Sequence, residues 1–287
     1  MSNEENDDNA QEDEQVITLQ EFIDEENEEI EEAVRVLGNA DDKQCSYSKG
    51  YMKRQPLYSC LTCAKSLETD DAGICLACSL VCHDGHDLVE LYTKRNFRCD
   101  CGNSKFGSSF KCSLEPSKDE INARNKYDQT FRGLYCTCHR PFPDPENSET
   151  EDQMIQCIVC EDWFHMNHAN VDDAIDCEEI ACATCCEKIP FLKCYSMTNW
   201  RKELCRCEAC TADYKTLDCE YLLEESDSCA FYERESIANH NKRRSETLRL
   251  NSGGESSSQS STNSGDDFQM LANLCGMDKV VQLEMIH

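Results

Sequence analysis

The side chains of this chain best able to do chemistry are its thiols. Cys99-Asp100-Cys101-Gly102 sets two cysteines one residue apart, and the same Cys-x-Cys spacing returns at Cys136/Cys138 and Cys205/Cys207. Thiols that close cannot easily join each other as a relaxed disulfide. Cysteine makes up 24 of the 287 residues, a density found in secreted disulfide scaffolds or in sets of metal sites. The start, "MSNEENDDNAQEDEQ", has neither the basic end nor the apolar centre of a signal peptide. No run approaches the ~18 apolar residues of a membrane span. The expectation is therefore a protein of the nucleus and/or cytoplasm whose thiols hold zinc, with no membrane partner.

Charge narrows the partners. Acidic residues number 57 against 28 basic ones, a formal net charge of -29. That argues against a direct nucleic-acid binder, which needs cations facing phosphates. It suits basic partners such as histone tails or basic peptide ends. The plainer alternative is that acidity serves solubility alone.

The first cysteine block offers Cys45, Cys60/Cys63, Cys75/Cys78, Cys82, His83/His86, Cys99/Cys101 and Cys112. Cys-x-x-Cys turns aim two soft ligands at one tetrahedral zinc ion. Nine cysteines and two histidines are one ligand short of three such ions. One thiolate bridging two ions closes the count and predicts a three-zinc module of about seventy residues. The segments "CSYSKGYMKRQPLYSCLTC", "GICLACSLVCHDGH" and "RCDCG" resemble the UBR box of the N-recognin ubiquitin ligases. That resemblance implies one zinc on Cys60, Cys63, His83 and His86, and a second on Cys45, Cys75, Cys78 and Cys99. Cys78 then bridges to a third ion held by Cys101 and Cys112. Many boxes complete the third site with a histidine after the final cysteine, where Leu114, Glu115 and Pro116 stand here. Cys82 is the candidate replacement. UBR boxes that read basic N-terminal residues (N-degrons) do so with carboxylates, and Asp100 lies in the matching place, facing outward toward the ligand groove. Asn103 stands where those readers carry a second acid. The pocket then reads N-degrons with one acid fewer, reads another ligand, or is only structural.

The second block runs Cys136/Cys138, Cys157/Cys160, His165/His168 and Cys182/Cys185. Eight ligands in that order suit two interleaved ions, with a shift from Cys185 to Cys186 left open. "LYCTC" and "CEDWFHMNH" resemble a PHD finger. The implied cross-brace puts Cys136, Cys138, His165 and His168 on one zinc and Cys157, Cys160, Cys182 and Cys185 on the other. Tyr135, Phe142, Met154 and Trp163 match the positions with which PHD fingers enclose methylated lysine, by attraction of aromatic faces for a weakly hydrated cation. Packing in a domain too small for a large core is the competing role for Trp163.

In the third block, Cys205, Cys207 and Cys210 lack a fourth ligand that Cys186, Cys194 or Cys219 would have to supply. They form one further zinc site or are reduced structural cysteines. A UBR box followed by a PHD finger and then Trp-Arg-x-x-Leu-Cys-x-Cys-x-x-Cys resembles one short UBR-box/PHD-finger family of ubiquitin (E3) ligases. The resemblance implies a component that recruits protein substrate, with histone as one candidate, and promotes ubiquitin transfer to lysine. Its partner would be a ubiquitin-conjugating enzyme (E2), with no catalytic residue on this chain, because such ligases act by holding the charged enzyme in a reactive geometry. There is no separate RING and no room for a HECT domain of two or three domain lengths. The alternative is a non-catalytic chromatin adaptor.

The elements that position these sites follow from pattern. Small zinc-stabilised α+β or irregular modules are expected, with flanking helices and disordered tails. Residues 1–17 are acidic and disordered. An amphipathic helix covers 18–38, capped by Thr18 and Glu21, with Phe22, Ile23, Ile30, Val34 and Leu37 as its stripe and Gly38 as its stop. The UBR-type finger covers 43–115 and the PHD-type finger 133–188. A Cys-containing helical extension covers 189–235, with Tyr214, Leu217, Tyr221 and Leu222 for packing. A Ser/Gly-rich flexible linker covers 236–267, and a C-terminal helix 268–287.

Overall fold

A computed structural model describes residues 19–67, 71–145, 153–169, 179–189, 192 and 200–251. The acidic stretch 1–17, Thr18, Cys177, Cys194, residues 252–267 of the expected linker and the helix expected over 268–287 lie outside the described residues.

Helix α1 spans Leu19–Leu37. Ala33, Val34 and Leu37 are buried, and Ala33 and Leu37 pack into one cluster with Cys45, Cys60, Cys75 and Cys78. The Ile30–Leu37 half of the helix thus lies on the cysteine-rich module that follows it, while the side chains of Phe22 and Ile23 lie outside the described residues. Gly38 donates its N–H to the Val34 carbonyl at 2.9 Å. A Cβ there would sit 2.4 Å from the Ser236 carbonyl oxygen, so the close approach of helix α7 (Cys229–Asn251) requires glycine at this point.

The first module is built on a three-stranded antiparallel sheet of order β2-β1-β3. Its strands are β1 (Met52–Cys60), β2 (Ile74–Cys75) and β3 (Leu88–Phe97), with helices α2 (Leu61–Leu67) and α3 (Leu76–Val81) between them. Leu57, Leu91, Phe97 and Phe131 form an apolar cluster against the sheet. Pro56 pairs with Thr93 but Tyr58 with Glu90, so Leu91 and Tyr92 face the single residue Leu57. Tyr92 takes up this bulge at φ +55, in the left-handed region that side chains with a Cβ seldom adopt.

The second module has a two-stranded sheet, β4 (Met154–Gln156) with β5 (Trp163–His165), and helix α4 (Ala183–Lys188). The extension supplies α5 (Trp200–Glu203), α6 (Glu208–Thr216) and α7. Ile158, Ala181, Ile189 and Leu192 of the second module share a core with Trp200, Tyr214 and Leu222 of the extension. Leu217, expected to pack, is 40 % exposed because helix α6 stops before it. The linker expected from 236 begins later, since α7 continues to Asn251. No glycine or proline interrupts that stretch until Gly253.

A buried ionic cluster ties the three parts together. Arg95 of β3 meets Glu161 of the second module at 3.1 Å and Asp227 of the extension at 2.7 Å. Lys94 donates to the Glu161 carbonyl and to Asp128, each at 3.0 Å. Arg54 meets Glu161 and Asp227, each at 3.7 Å.

Candidate functional site

Among the described residues at least five groups of four ligand atoms converge, each set lying within 4.8 Å of one another. They are Cys45/Cys75/Cys78/Cys99, Cys60/Cys63/His83/His86, Cys78/Cys82/Cys101/Cys112, Cys136/Cys138/His165/His168 and Cys157/Cys160/Cys182/Cys185. Cys78 belongs to two of them, and Cys82 stands beside Cys112 at 3.9 Å. Every cysteine among the described residues is free.

The spacing of these atoms tests the donor set against zinc. A tetrahedron with Zn–S bonds of ≈ 2.3 Å has sulfur–sulfur edges of about 3.8 Å. The observed separations are 3.9 Å for Cys45–Cys75, 3.8 Å for Cys78–Cys99, 3.6 Å for Cys78–Cys112 and 3.9 Å for Cys160–Cys182. Each histidine turns Nδ1 toward a thiol: His86 toward Cys60 at 3.3 Å, His83 toward Cys63 at 3.5 Å, His168 toward Cys136 at 3.3 Å and His165 toward Cys138 at 3.5 Å. Burial and the facing His86 hold the His83 pKa down at about 4, leaving the neutral ring that a metal requires. The residues fit zinc. Bound there, zinc supplies the crosslinks that modules with this little apolar core need.

Local backbone explains the convergence. Gly102 lies at φ +76, and a Cβ there would approach the Cys112 nitrogen to 2.3 Å. That turn sends Cys101 and Cys99 to different quartets. Cys136 at φ +61 and His139 at φ +54 close the tight turn that aims Cys136 and Cys138 at one point. One participant carries no metal-site signal in the sequence. Lys118 Nζ lies 3.2 Å from Cys45 Sγ and 3.6 Å from Cys99 Sγ. Burial lowers the Lys118 pKa, but the thiolates of Cys99 and Cys45 outweigh it and push the pKa above the usual lysine value. A cation here offsets the surplus negative charge of nine thiolates on three divalent ions.

Asp100 requires a correction. Its side chain faces inward and is fully buried. Oδ2 accepts from the Gly73 N–H at 3.0 Å and the Tyr127 hydroxyl at 2.9 Å. Oδ1 accepts from the amides of Asn103 at 2.9 Å, Asn122 at 2.7 Å and Asn125 at 2.9 Å. Burial pushes the carboxyl pKa up, and the Gly73, Asn122 and Tyr127 donors restrain that rise. The segment after Cys112 thus satisfies the acid that an N-terminal amine would otherwise have met. Asn103 is part of the reason: it donates where a second acid would repel Asp100.

Two of the four residues matched to a methyl-lysine enclosure, Met154 and Trp163, line one cavity together. It has a volume of about 190 Å³ and lies between the two modules, and Tyr135 and Phe142 do not line it. Tyr135 packs against the Cys136 cluster, and Phe142 is 53 % exposed. Tyr92 of β3 lines that cavity instead, with its ring 5.4 Å from that of Trp163 at 87°.

In the third block, Cys205 and Cys207 are exposed, and the thiols of Cys207 and Cys205 together push the thiol pKa of Cys210 up to about 12. Cys186 donates to the Ala181 carbonyl at 3.4 Å, and Cys219 is buried in the extension core. Cys186 and Cys210 both pack against the cluster that holds Cys219.

The fold and the five quartets define a zinc-finger protein of two metal modules locked together by a helical extension. Residues 44–115 match the family described as "Putative zinc finger in N-recognin (UBR box)". Residues 130–196 match the "UBR7-like PHD finger". The chain thus carries a segment matching a UBR box and a second matching a UBR7-like PHD finger, and both modules bind zinc. It is 51 % identical over 185 residues to the human "Putative E3 ubiquitin-protein ligase UBR7", covering 64 % of this chain and 43 % of that protein. It is 38 % identical over 217 residues to "Protein mlo2" of Schizosaccharomyces pombe, covering 68 % of this chain and 64 % of that one. A Dictyostelium discoideum protein named "Putative E3 ubiquitin-protein ligase ubr7" is 31 % identical over 252 residues, with 65 % and 52 % covered. The chain spans less than half the length of the human and mouse relatives. No solved structure matches it.

Proposed function

We propose that this chain is a substrate-recruiting component of ubiquitin ligation. Its PHD finger holds a ubiquitin-charged conjugating enzyme in a geometry from which a substrate lysine attacks, and its UBR and PHD faces hold the protein substrate, histone tails among the candidates. The observation that carries the reading is the alternation of Cys136/Cys138/His165/His168 with Cys157/Cys160/Cys182/Cys185. That cross-brace resembles a RING in topology, and it needs no nucleophile of its own. The names of the human, mouse and Dictyostelium relatives support it. Nucleus and/or cytoplasm is the location we propose.

The test is a discharge assay with activating enzyme, a panel of charged conjugating enzymes, ubiquitin and nucleosomes. Faster discharge of one conjugating enzyme, with nucleosomes as acceptor, is the expected result. If none discharges faster with the protein than without it, the ligase reading fails.

A second reading is a non-catalytic reader of basic tails. It draws on the -29 net charge and on Trp163 and Met154 lining one cavity. Unchanged discharge together with saturable binding of methylated histone peptides is its signature. N-degron peptides are not proposed as ligands, because the Asp100 carboxylate already has five donors.

A further inference from the structure

The cavity between the UBR box and the PHD finger has three separate contributors. Trp163 and Met154 come from paired strands β5 and β4, Tyr92 from strand β3 of the UBR box, and Glu233 from helix α7. Its volume of about 190 Å³ is below the ~300–1,000 Å³ of sites for drug-sized ligands. It has the scale of one side-chain tip.

The Tyr92 and Trp163 rings stand at 87° with centroids 5.4 Å apart, so they form a corner of two aromatic walls. Tyr92 is aimed there by the bulge, at the cost of a φ of +55. Bulges that re-aim a side chain, and non-glycine residues held at positive φ, concentrate beside functional sites. Its hydroxyl donates to Glu233 Oε1 at 2.7 Å, which makes the ring more electron-rich and a better partner for a cation.

The charges around the cavity point the same way. Arg54 is engaged by Glu161 and Asp227, Glu161 also by Arg95, and Glu179 by Arg201. Among the described residues no basic side chain pairs with Glu233, which leaves one carboxylate beside two aromatic rings and a thioether.

We propose that this inter-module cavity binds an alkylammonium side chain, of the methylated-lysine class, with Tyr92 of the UBR box as its second aromatic wall and Glu233 as its counter-charge. The inference rests on the reading that the Trp163 side of the PHD finger recruits a basic tail. It adds that recognition needs the two modules docked, so the isolated PHD finger presents an incomplete site.

The test uses the zinc-loaded full chain and three peptides of the form Gly-Ser-Gly-X-Gly-Ser-Gly. X is trimethyllysine, lysine, or the uncharged isostere in which a tert-butyl group replaces trimethylammonium. Binding is read on the indole N–H signals of the two tryptophans. Trimethyllysine should bind more tightly than the isostere. Tyr92→Ala should weaken it about five- to thirtyfold, and Tyr92→Phe much less. Glu233→Gln should weaken the cationic peptide while leaving the isostere unchanged, and retained zinc content and melting temperature show that the fold survives. If Trp163→Ala abolishes binding but Tyr92→Ala and Glu233→Gln bind as wild type, the composite site is wrong and PHD-only recruitment stands. If wild type does not distinguish trimethyllysine from the isostere, the cation site is wrong whatever the discharge assay shows.

Discussion

Arg95 and Asp227 lie 132 positions apart in sequence, yet the guanidinium of one grips the carboxylate of the other through Nε at 3.0 Å and Nη2 at 2.7 Å. Both side chains are almost wholly buried. Arg95 also donates to the Ile158 carbonyl at 2.9 Å and lies over the Tyr221 ring at 4.0 Å. One side chain of the UBR box therefore touches the PHD finger and two points of the extension. This contact sets how the modules sit, and so whether Tyr92 reaches Trp163.

Removing one partner of such a pair leaves a buried charge uncompensated. Asp227→Ala is expected to cost about 3–5 kcal/mol, read as a lower midpoint in urea unfolding. The exposed pair Lys126–Asp218 at 2.8 Å provides the contrast: Lys126→Ala should cost about 0–1 kcal/mol. Equal effects would show that the Arg95 cluster does not hold the modules together.

Cys78 is a member of two quartets, whereas Cys82 belongs to one. With five quartets holding five zinc ions, Cys78→Ser should reduce the metal content by two ions per chain. Cys82→Ser should reduce it by no more than one. Elemental analysis of the purified variants measures this directly, and identical losses would rule out a shared thiolate.

The difference between what sequence revealed and what it hid has a physical cause. Metal ligands come in tight local turns, so Cys60/Cys63 or Cys136/Cys138 announce themselves within a few residues, and the helix stop at Gly38 is equally local. The orientation of Asp100 depended on Asn122, Asn125 and Tyr127, which lie 22, 25 and 27 positions away and have no motif of their own. Lys118 beside Cys45 and Tyr92 beside Trp163 are likewise products of docking between segments. Only the bulge at Leu91–Tyr92 carries a trace of function, and a bulge depends on strand pairing that a single sequence does not display.

Asp100 yields its own prediction. Asp100→Ala would remove the shared acceptor of five donors, of which Gly73, Asn103 and Asn122 are buried, and each unsatisfied buried group costs about 1–3 kcal/mol before relaxation. A loss of at least about 3 kcal/mol in urea unfolding is expected. Peptides with an N-terminal arginine should show no saturable binding to the wild-type chain in fluorescence anisotropy. Binding that Asp100→Ala abolishes, with the fold retained, would reopen the groove as a reader of N-terminal amines.

Metal removal separates zinc from every other source of stability. The apolar clusters lean on the thiols: four buried residues, Leu57, Leu91, Phe97 and Phe131, make one of them, and another is Phe164 with Cys136, Cys157, Cys182 and Cys185. Such cores cannot offset the chain entropy lost on folding, whereas a structural zinc contributes ~10–16 kcal/mol of apparent binding energy. A strong chelator should therefore abolish the folded circular-dichroism signal, and added zinc should restore it under reducing conditions. A phosphine reductant without chelator should change nothing, because the described cysteines form no disulfide. Unfolding by the reductant, or a native signal that survives complete loss of metal, would contradict the crosslinking role assigned to the five quartets.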